Sequence, residues 1–324
     1  MADPPASALW TLTSYYNPAG WRSRRHNFDR FRERLQSPLL VVEHAIDGRF
    51  ELGEGDADRL IQVRGGDVMW QKERLLNIGL QHLPEHCTAV AWIDADVLFA
   101  APGWSERALA GLQSHDVLQL FSRCEHLGPD ATSPADGVLL SLEGIVAQLL
   151  AAPARQDVLA QLLAEYRGLQ PTLELPMTYR GYGFAWAARR SWLEAIGGLY
   201  DRCITGSGDS LLFFALQGQL PAYLGACRQS GVHREARALD HWYATLQQHR
   251  PRIGCLPDTI HHLFHGALRD RGYGTRAFLM RDLGFDYDRD LEASTEGLWQ
   301  FSSTCHGAFR DAVAAYFGTR REDG

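Results

Sequence analysis

Two aspartates one residue apart, Asp94 and Asp96 in the run AWIDADVLF, directly follow an apolar stretch. Carboxylates crowded at the end of a buried strand are costly to desolvate without a counter-charge. A divalent cation removes that cost, since Mg2+ and Mn2+ prefer carboxylate oxygens and are commonly shared with ligand phosphates. The bland alternative is that one aspartate caps the next element while the other is solvated. A further carboxylate, Asp209, closes Gly206-Ser207-Gly208-Asp209 ahead of an apolar helix, where it is either an N-cap or a general base aimed at a substrate hydroxyl. In TIHHLFHGALRDRGYGTR, His261, His262 and His265 precede Arg269, Arg271 and Arg276, a density that suits a site for a metal and a pyrophosphate. On a strand running from Thr259 to His265, His261 and His265 share one face and His262 lies on the other.

Lys72 is the single lysine of the chain; every other basic residue apart from histidine is an arginine. Two readings stand side by side. Its stem can cover apolar surface while the ammonium reaches water, or it can place a compact charge toward a ligand or Asp94, where a planar guanidinium is too wide. The run YYNPAGW after the first strand also has two readings: a platform on which Tyr15 or Tyr16 stacks a nucleobase with Thr13 and Asn17 as polar contacts, or a hydrophobic lid.

The elements that must position these residues follow from periodicity. Trp10 to Ser14, Leu39 to Val42, Arg59 to Arg64, Thr88 to Ile93, Val117 to Phe121 and Phe184 to Ala188 read as strands; TAVAWI lacks alternation, as a strand covered on both faces does. Asn17-Pro18 is a natural helix start, and the helix it opens carries Trp21, Phe28, Phe31 and Leu35 on one face. Asp67 can cap a helix from about Val68 to Gln81, with Met69, Leu76, Leu80 and Leu83 inward and Lys72 at the margin. Shorter helices are expected at Glu106 to Leu112 and Arg189 to Ile196. The segment from Gly128 to about Tyr179 reads as a less regular helical insertion that covers a site. Alternating strands and helices predict a mostly parallel sheet between helices, with ligands at the carboxyl ends of its strands.

The chain has 324 residues, 45% hydrophobic, 22% charged and 10% aromatic, which excludes disorder as a general account. Its 32 Lys and Arg against 39 Asp and Glu give a net charge of −7, so bulk coating of nucleic acid is not expected. Six scattered cysteines form no CxxC pair, and there is no signal-like start or membrane-length apolar run, from which a cytoplasmic location is expected.

Taken in order, the strand-helix-strand opening, the DxD after a buried strand, the GYG…F…R…L…GG…D…GxGD segment from Gly181 to Asp209, and a late strand histidine followed by arginines resemble the GT-A superfamily of nucleotide-sugar glycosyltransferases. The likeness is closest to family-2-like enzymes and the C-terminal part of β-1,4-galactosyltransferases, and it runs from about Leu12 to Arg276. It implies a Rossmann-like, mostly parallel sheet flanked by helices in a single domain over residues 1–324. That domain would comprise a donor-binding half at about 8–125, an acceptor and catalytic half at about 126–290 and a helical tail at about 291–324. It also implies Mn2+ or Mg2+ on Asp96 and His265, with Asp94 at the donor ribose or a metal-bound water, and Asp209 as the catalytic carboxylate.

In that reading Asp94, Asp96 and His265 form the metal set. Thr13, Tyr15, Tyr16, Asn17, Lys72, Asp94, Arg271 and Arg276 contact the nucleotide sugar. The expected reaction is hexosyl or N-acetylhexosaminyl transfer from a UDP-sugar, with inversion, to an acceptor left open among glycan, protein, small molecule and modified nucleic-acid base. Thr205 and Gly208 depart from the tryptophan and glutamate often found around the Gly-Gly before the catalytic carboxylate. A sugar-phosphate nucleotidyltransferase and a catalytically silent sugar- or nucleotide-binding protein on the same fold are the alternatives.

Overall fold

Alternate residues of a strand point to opposite faces, and in this chain both faces of the central strands are apolar. Trp10, Leu12, Leu40, Val42, Val90 and Trp92 enter one buried cluster, while Leu9, Leu39, Val41, Ala89, Ala91 and Ile93 enter another on the far side of the sheet. The computed structural model describes residues 7–130, 142–143, 181–229, 231–232, 236–272, 276 and 278–324.

Along the chain, β1 (Leu9–Tyr16), α1 (Arg22–Arg34), β2 (Leu39–Ala45), β3 (Arg59–Arg64), α2 (Lys72–Gln81) and β4 (Ala89–Ile93) build the first half of the sheet. After β5 (Val97–Phe99) and α3 (Trp104–Gly111) come β6 (Val117–Gln119), β7 (Arg123–His126), β8 (Leu142–Glu143) and β9 (Ala185–Arg189). Four helices follow: α4 (Arg190–Ala195), α5 (Gly208–Leu216), α6 (Leu220–Gln229) and α7 (Arg237–Gln248). The chain then forms β10 (Ile253–Cys255), β11 (Thr259–His262), α8 (Phe278–Asp282), the hairpin β12 (Leu291–Ala293) and β13 (Trp299–Phe301), and α9 (Gly307–Thr319).

The seven-stranded sheet has the order β10-β6-β9-β4-β1-β2-β3. All its neighbours are parallel except β9, which runs antiparallel to both β4 and β6. The fold is therefore the mostly parallel α/β sheet between helices that the alternating pattern predicts. A second sheet, β5-β11-β7-β8, packs at the carboxyl end of β4. α2 lies on one face so closely that a Cβ at Gly79 would meet Leu12, Val42 and Leu40. On the other face Phe28 and Phe31 of α1 sit among Tyr15, Val41 and Trp104.

Three local expectations differ from the structure. The first helix begins at Arg22, because Asn17 spends its side chain on the loop itself, accepting from Trp21 N–H at 2.9 Å and donating to Trp21 O at 2.9 Å. Its exposed N–H groups are instead met by Asp323, whose carboxylate accepts from Arg22 and Ser23. Asp67 does not cap α2; it accepts from Phe301 N–H at 2.7 Å, and the helix starts at Lys72. The last histidine-bearing strand stops at His262. Most of the expected insertion at 128–179 lies outside the described residues. No helix among the described residues is long and apolar enough to cross a membrane.

Candidate active site

The turn Asp94-Ala95-Asp96 carries the chain from the large sheet to the small one, and each aspartate is pinned by a different partner. Asp94 donates its N–H to Phe184 O at 2.8 Å, and Val97 N–H closes the turn on Asp94 O at 3.1 Å. Asp96 O accepts from Leu263 N–H at 2.8 Å. Two residues beside this turn hold left-handed backbone despite having side chains: Phe184 at φ 71° and Ser207 at φ 80°. Such conformations cost of order 1–3 kcal/mol and persist only where the surroundings enforce them.

On one side of the turn stands Lys72, the first residue of α2. Its Nζ is 2.5 Å from Asp94 and 3.3 and 3.4 Å from the two oxygens of Asp209. The lysine side chain is only 13% exposed, so the ammonium is engaged by both carboxylates rather than released to solvent. Asp209 is the second residue of α5 and not its N-cap, which is Ser207. Its carboxylate reaches Lys72 because Gly183 leaves room, a Cβ there falling 2.6 Å from Asp209 Oδ2. Gly208 likewise lies flush against the Glu73 carboxylate. Beneath this group is a small pocket walled by Leu76, Trp92, Leu199, Tyr200, Leu212 and Trp242.

Charge settles unevenly in this corner. Burial opposes the proton on Lys72, but Asp209, Asp94 and Glu73 outweigh it and hold the ammonium above its ordinary pKa. Burial pushes Asp94 up to about 6, with Lys72 pulling it down and Asp209 and Asp96 adding to the rise. Glu73, buried at 5% exposure, is pushed up to about 8 by burial and then by Asp209.

On the other side of the turn, Asp96 faces two imidazoles. His265 Nε2 is 3.1 Å from Asp96 Oδ2, His262 Nε2 is 3.6 Å from Oδ1, and the two ring nitrogens are 3.2 Å apart. Asp96 Oδ1 is buried with no hydrogen-bond partner among the described residues. Burial, reinforced by Arg271, holds both histidines well below their ordinary pKa, so they are neutral. Burial raises Asp96, against the pull of Arg271, Arg24 and Lys72. Two facing imidazole nitrogens and a carboxylate oxygen, one ligand atom from each residue and all within 4.8 Å, form a donor set that fits a divalent cation once the facing nitrogens are unprotonated.

The residues expected at a ligand site fall into two clusters, one buried neighbour and a set engaged elsewhere in the fold. Lys72, Asp94 and Asp209 come together, as do Asp96 and His265 with Arg271 acting on both. Arg276 is buried nearby, its NH1 on Tyr316 OH at 2.9 Å and its guanidinium over Trp70 at 5.7 Å. Thr13, Tyr15, Tyr16 and Asn17 are engaged within the fold: Thr13 Oγ1 donates to Ile93 O at 2.6 Å, Tyr15 OH and Asn17 Nδ2 donate to Glu51, and Tyr16 stacks on His44.

The opposite faces expected for His261 and His262 hold within the strand, but His265 does not share the face of His261. The strand ends at His262, and the following turn brings His262 and His265 to Asp96 while His261 turns to Glu125, 3.3 Å away. The i, i+3 spacing of His262 and His265 was the available signal, since it suits a turn better than an alternating strand. Glu73, Arg24, Arg320 and Glu322 were missed as well, and their proximity arises from packing between distant segments.

No protein-family model and no curated protein sequence matches the chain. Among solved structures it is similar to glucosyl-3-phosphoglycerate synthase from Mycobacterium tuberculosis in complex with Mn2+, UDP-glucose and phosphoglyceric acid, at 15% identity and TM-score 0.40, covering 92% of this chain and 88% of that one. It is also similar to residues 1–349 of S. aureus TarS in complex with UDP-GlcNAc, at 11% identity and TM-score 0.40, covering 97% and 72%. A third is a mannosyltransferase from Pyrobaculum calidifontis with GDP-Man and Mn2+, at 16% identity and TM-score 0.37, covering 86% and 63%. Likenesses this distant leave the chemistry to the side chains.

Proposed function

We propose that the chain is a metal-dependent glycosyltransferase that moves a sugar from a nucleotide-diphosphate sugar to an acceptor hydroxyl. The observation that carries this reading is the pairing of unlike clusters on one turn: carboxylates held by a lysine on one side, and a carboxylate with two neutral imidazoles beside Arg271 on the other. Asp96, His262 and His265 would hold the cation, and two imidazole ligands favour Mn2+ over Mg2+. When bound, it supplies a positive charge for the diphosphate leaving group.

Arg271 and Arg276 share that anionic charge. Asp94, fixed by Lys72, orients the donor ribose. Asp209 accepts the proton of the acceptor hydroxyl as its oxygen attacks the anomeric carbon, which inverts the configuration. The lysine contacts suit this division, since Nζ holds Asp94 at 2.5 Å and Asp209 more loosely at 3.3 Å. The expected donor is a UDP-sugar bearing a hexosyl or N-acetylhexosaminyl group.

Calorimetry with UDP, GDP, UDP-sugars and GDP-sugars, each with Mn2+ and with EDTA, tests the proposal. Diphosphates should bind only with the cation, UDP compounds most tightly, because a diphosphate beside carboxylates is repelled until a cation lies between them. Undiminished binding in EDTA overturns the reading. Binding of a nucleoside triphosphate and sugar phosphate instead points to nucleotidyl transfer.

A further inference from the structure

We infer that Glu322, from the far end of the chain, is a positioning residue for the metal side: it accepts the Nδ1 proton of His265 and so leaves the Nε2 lone pair of that ring to a divalent cation. The inference rests on the proposed metal reading of Asp96, His262 and His265.

The Glu322 side chain is fully buried. Arg24 grips it with both ends of its fork, Nε at 2.7 Å and NH2 at 2.8 Å, and Arg320 Nε adds a further bond. The backbone is built to deliver it. After α9, Arg321 takes left-handed backbone at φ 45° and turns the chain inward. The tail then lies on Gly266, the neighbour of His265, so closely that a Cβ at Gly266 would fall 2.9 Å from the carbonyls of Arg320 and Arg321. Tyr316 OH donates to Arg271 O at 2.9 Å and accepts from Arg276 and Arg320, tying the same tail to the site arginines.

His265 therefore lies between two carboxylates, with Nε2 3.1 Å from Asp96 and Nδ1 3.9 Å from Glu322. A neutral imidazole has one proton, and whichever nitrogen carries it cannot ligate a metal. With the proton on Nε2 the ring donates to Asp96 and the donor set is closed. Moving the proton to Nδ1 opens it, and a buried carboxylate facing Nδ1 makes that tautomer favourable, as outer-shell carboxylates do for metal-bound histidines. The 3.9 Å separation exceeds a hydrogen bond, so metal uptake at Nε2 must bring with it a small ring movement toward Glu322.

The test compares wild type, Glu322→Gln and Asp323→Asn by calorimetric titration with Mn2+ alone, and by 15N NMR of the His265 ring loaded with diamagnetic Zn2+, which binds imidazole nitrogen. Glu322→Gln should weaken Mn2+ binding about 10- to 100-fold. Asp323→Asn, which removes only the contacts to the start of α1, should lower the melting temperature and keep wild-type Mn2+ affinity. The loaded wild-type ring should carry its proton on Nδ1. A Glu322→Gln variant that binds Mn2+ within about twofold of wild type overturns the inference, even if it binds nucleoside diphosphate more tightly, which would make Glu322 a plug in an anion site. Should that variant not fold, an Nε2–H ring in loaded wild type overturns it equally. A wild type that takes up no Mn2+ removes the metal reading itself, a failure visible before any variant is made.

Discussion

The two sides of the Asp94-Ala95-Asp96 turn solve the same electrostatic problem in opposite ways. On the Asp94 side the protein supplies its own cation: Lys72 sits between Asp94 and Asp209. On the Asp96 side it supplies two neutral imidazoles, and Asp96 Oδ1 has no hydrogen-bond partner among the described residues. Lys72 is in direct contact with Asp94 and Asp209, whereas Asp96 faces neutral rings with Arg271 as the strongest of the positive charges acting on it. The difference teaches that a DxD turn can divide its labour, with one aspartate tied to the protein's own lysine and the other, on the proposed reading, left to a cation.

Substitutions can break this division. Asp209→Asn keeps the shape but removes basicity, so turnover should fall by about 100- to 10,000-fold with donor and Mn2+ affinity close to wild type; steady-state kinetics beside calorimetry separates the two, and full turnover would take Asp209 out of the chemistry. Asp96→Asn should do the reverse, weakening Mn2+ binding by at least about 100-fold through loss of a charged ligand, with the melting temperature nearly kept. Lys72→Arg should lower transfer about tenfold while the fold survives, because a planar fork cannot stand between the two carboxylates as a point charge does; unchanged kcat would remove that distinction.

The smallest effect sharpens the comparison through pH. In the folded protein Glu73 is pushed up to about 8 from an ordinary 4.5, first by burial. The folded state thus binds an extra proton between those values, and stability falls as pH rises through that window. Glu73→Gln lacks this loss, so its melting temperature should gain on wild type by a few degrees between pH 4.5 and 8 and run parallel above. A difference that does not change with pH would mean that the lysine side carries no such charge crowding.

Much of this arrangement was legible in the residues. TAVAWI without alternation marked a strand buried on both faces, and β4 is that strand at the centre of the sheet. The scarcity of lysine singled out Lys72, and the strand-end position singled out Asp94 and Asp96. His265 is not on the face of His261, because alternation does not continue past His262, where the strand ends. The start of α1 was misplaced because Asn17 offers the same side-chain chemistry to a loop as to a helix cap. Glu322 left no local signal at all, since its partner Arg24 stands 298 positions away.

That separation bears on the order in which the molecule assembles. Closing so long a loop costs little more than closing a shorter one, about 0.6 kcal/mol per doubling, but nothing local rewards the encounter and it comes late. β1 and β2 can register within one strand-helix-strand unit, and Lys72 meets Asp209 across 137 positions. The ring of His265 gains its second carboxylate only when the two ends of the chain meet. On the proposed metal reading, a molecule that has formed its sheet without docking its tail still lacks that carboxylate, and Mn2+ uptake would be a late report that both ends are in place.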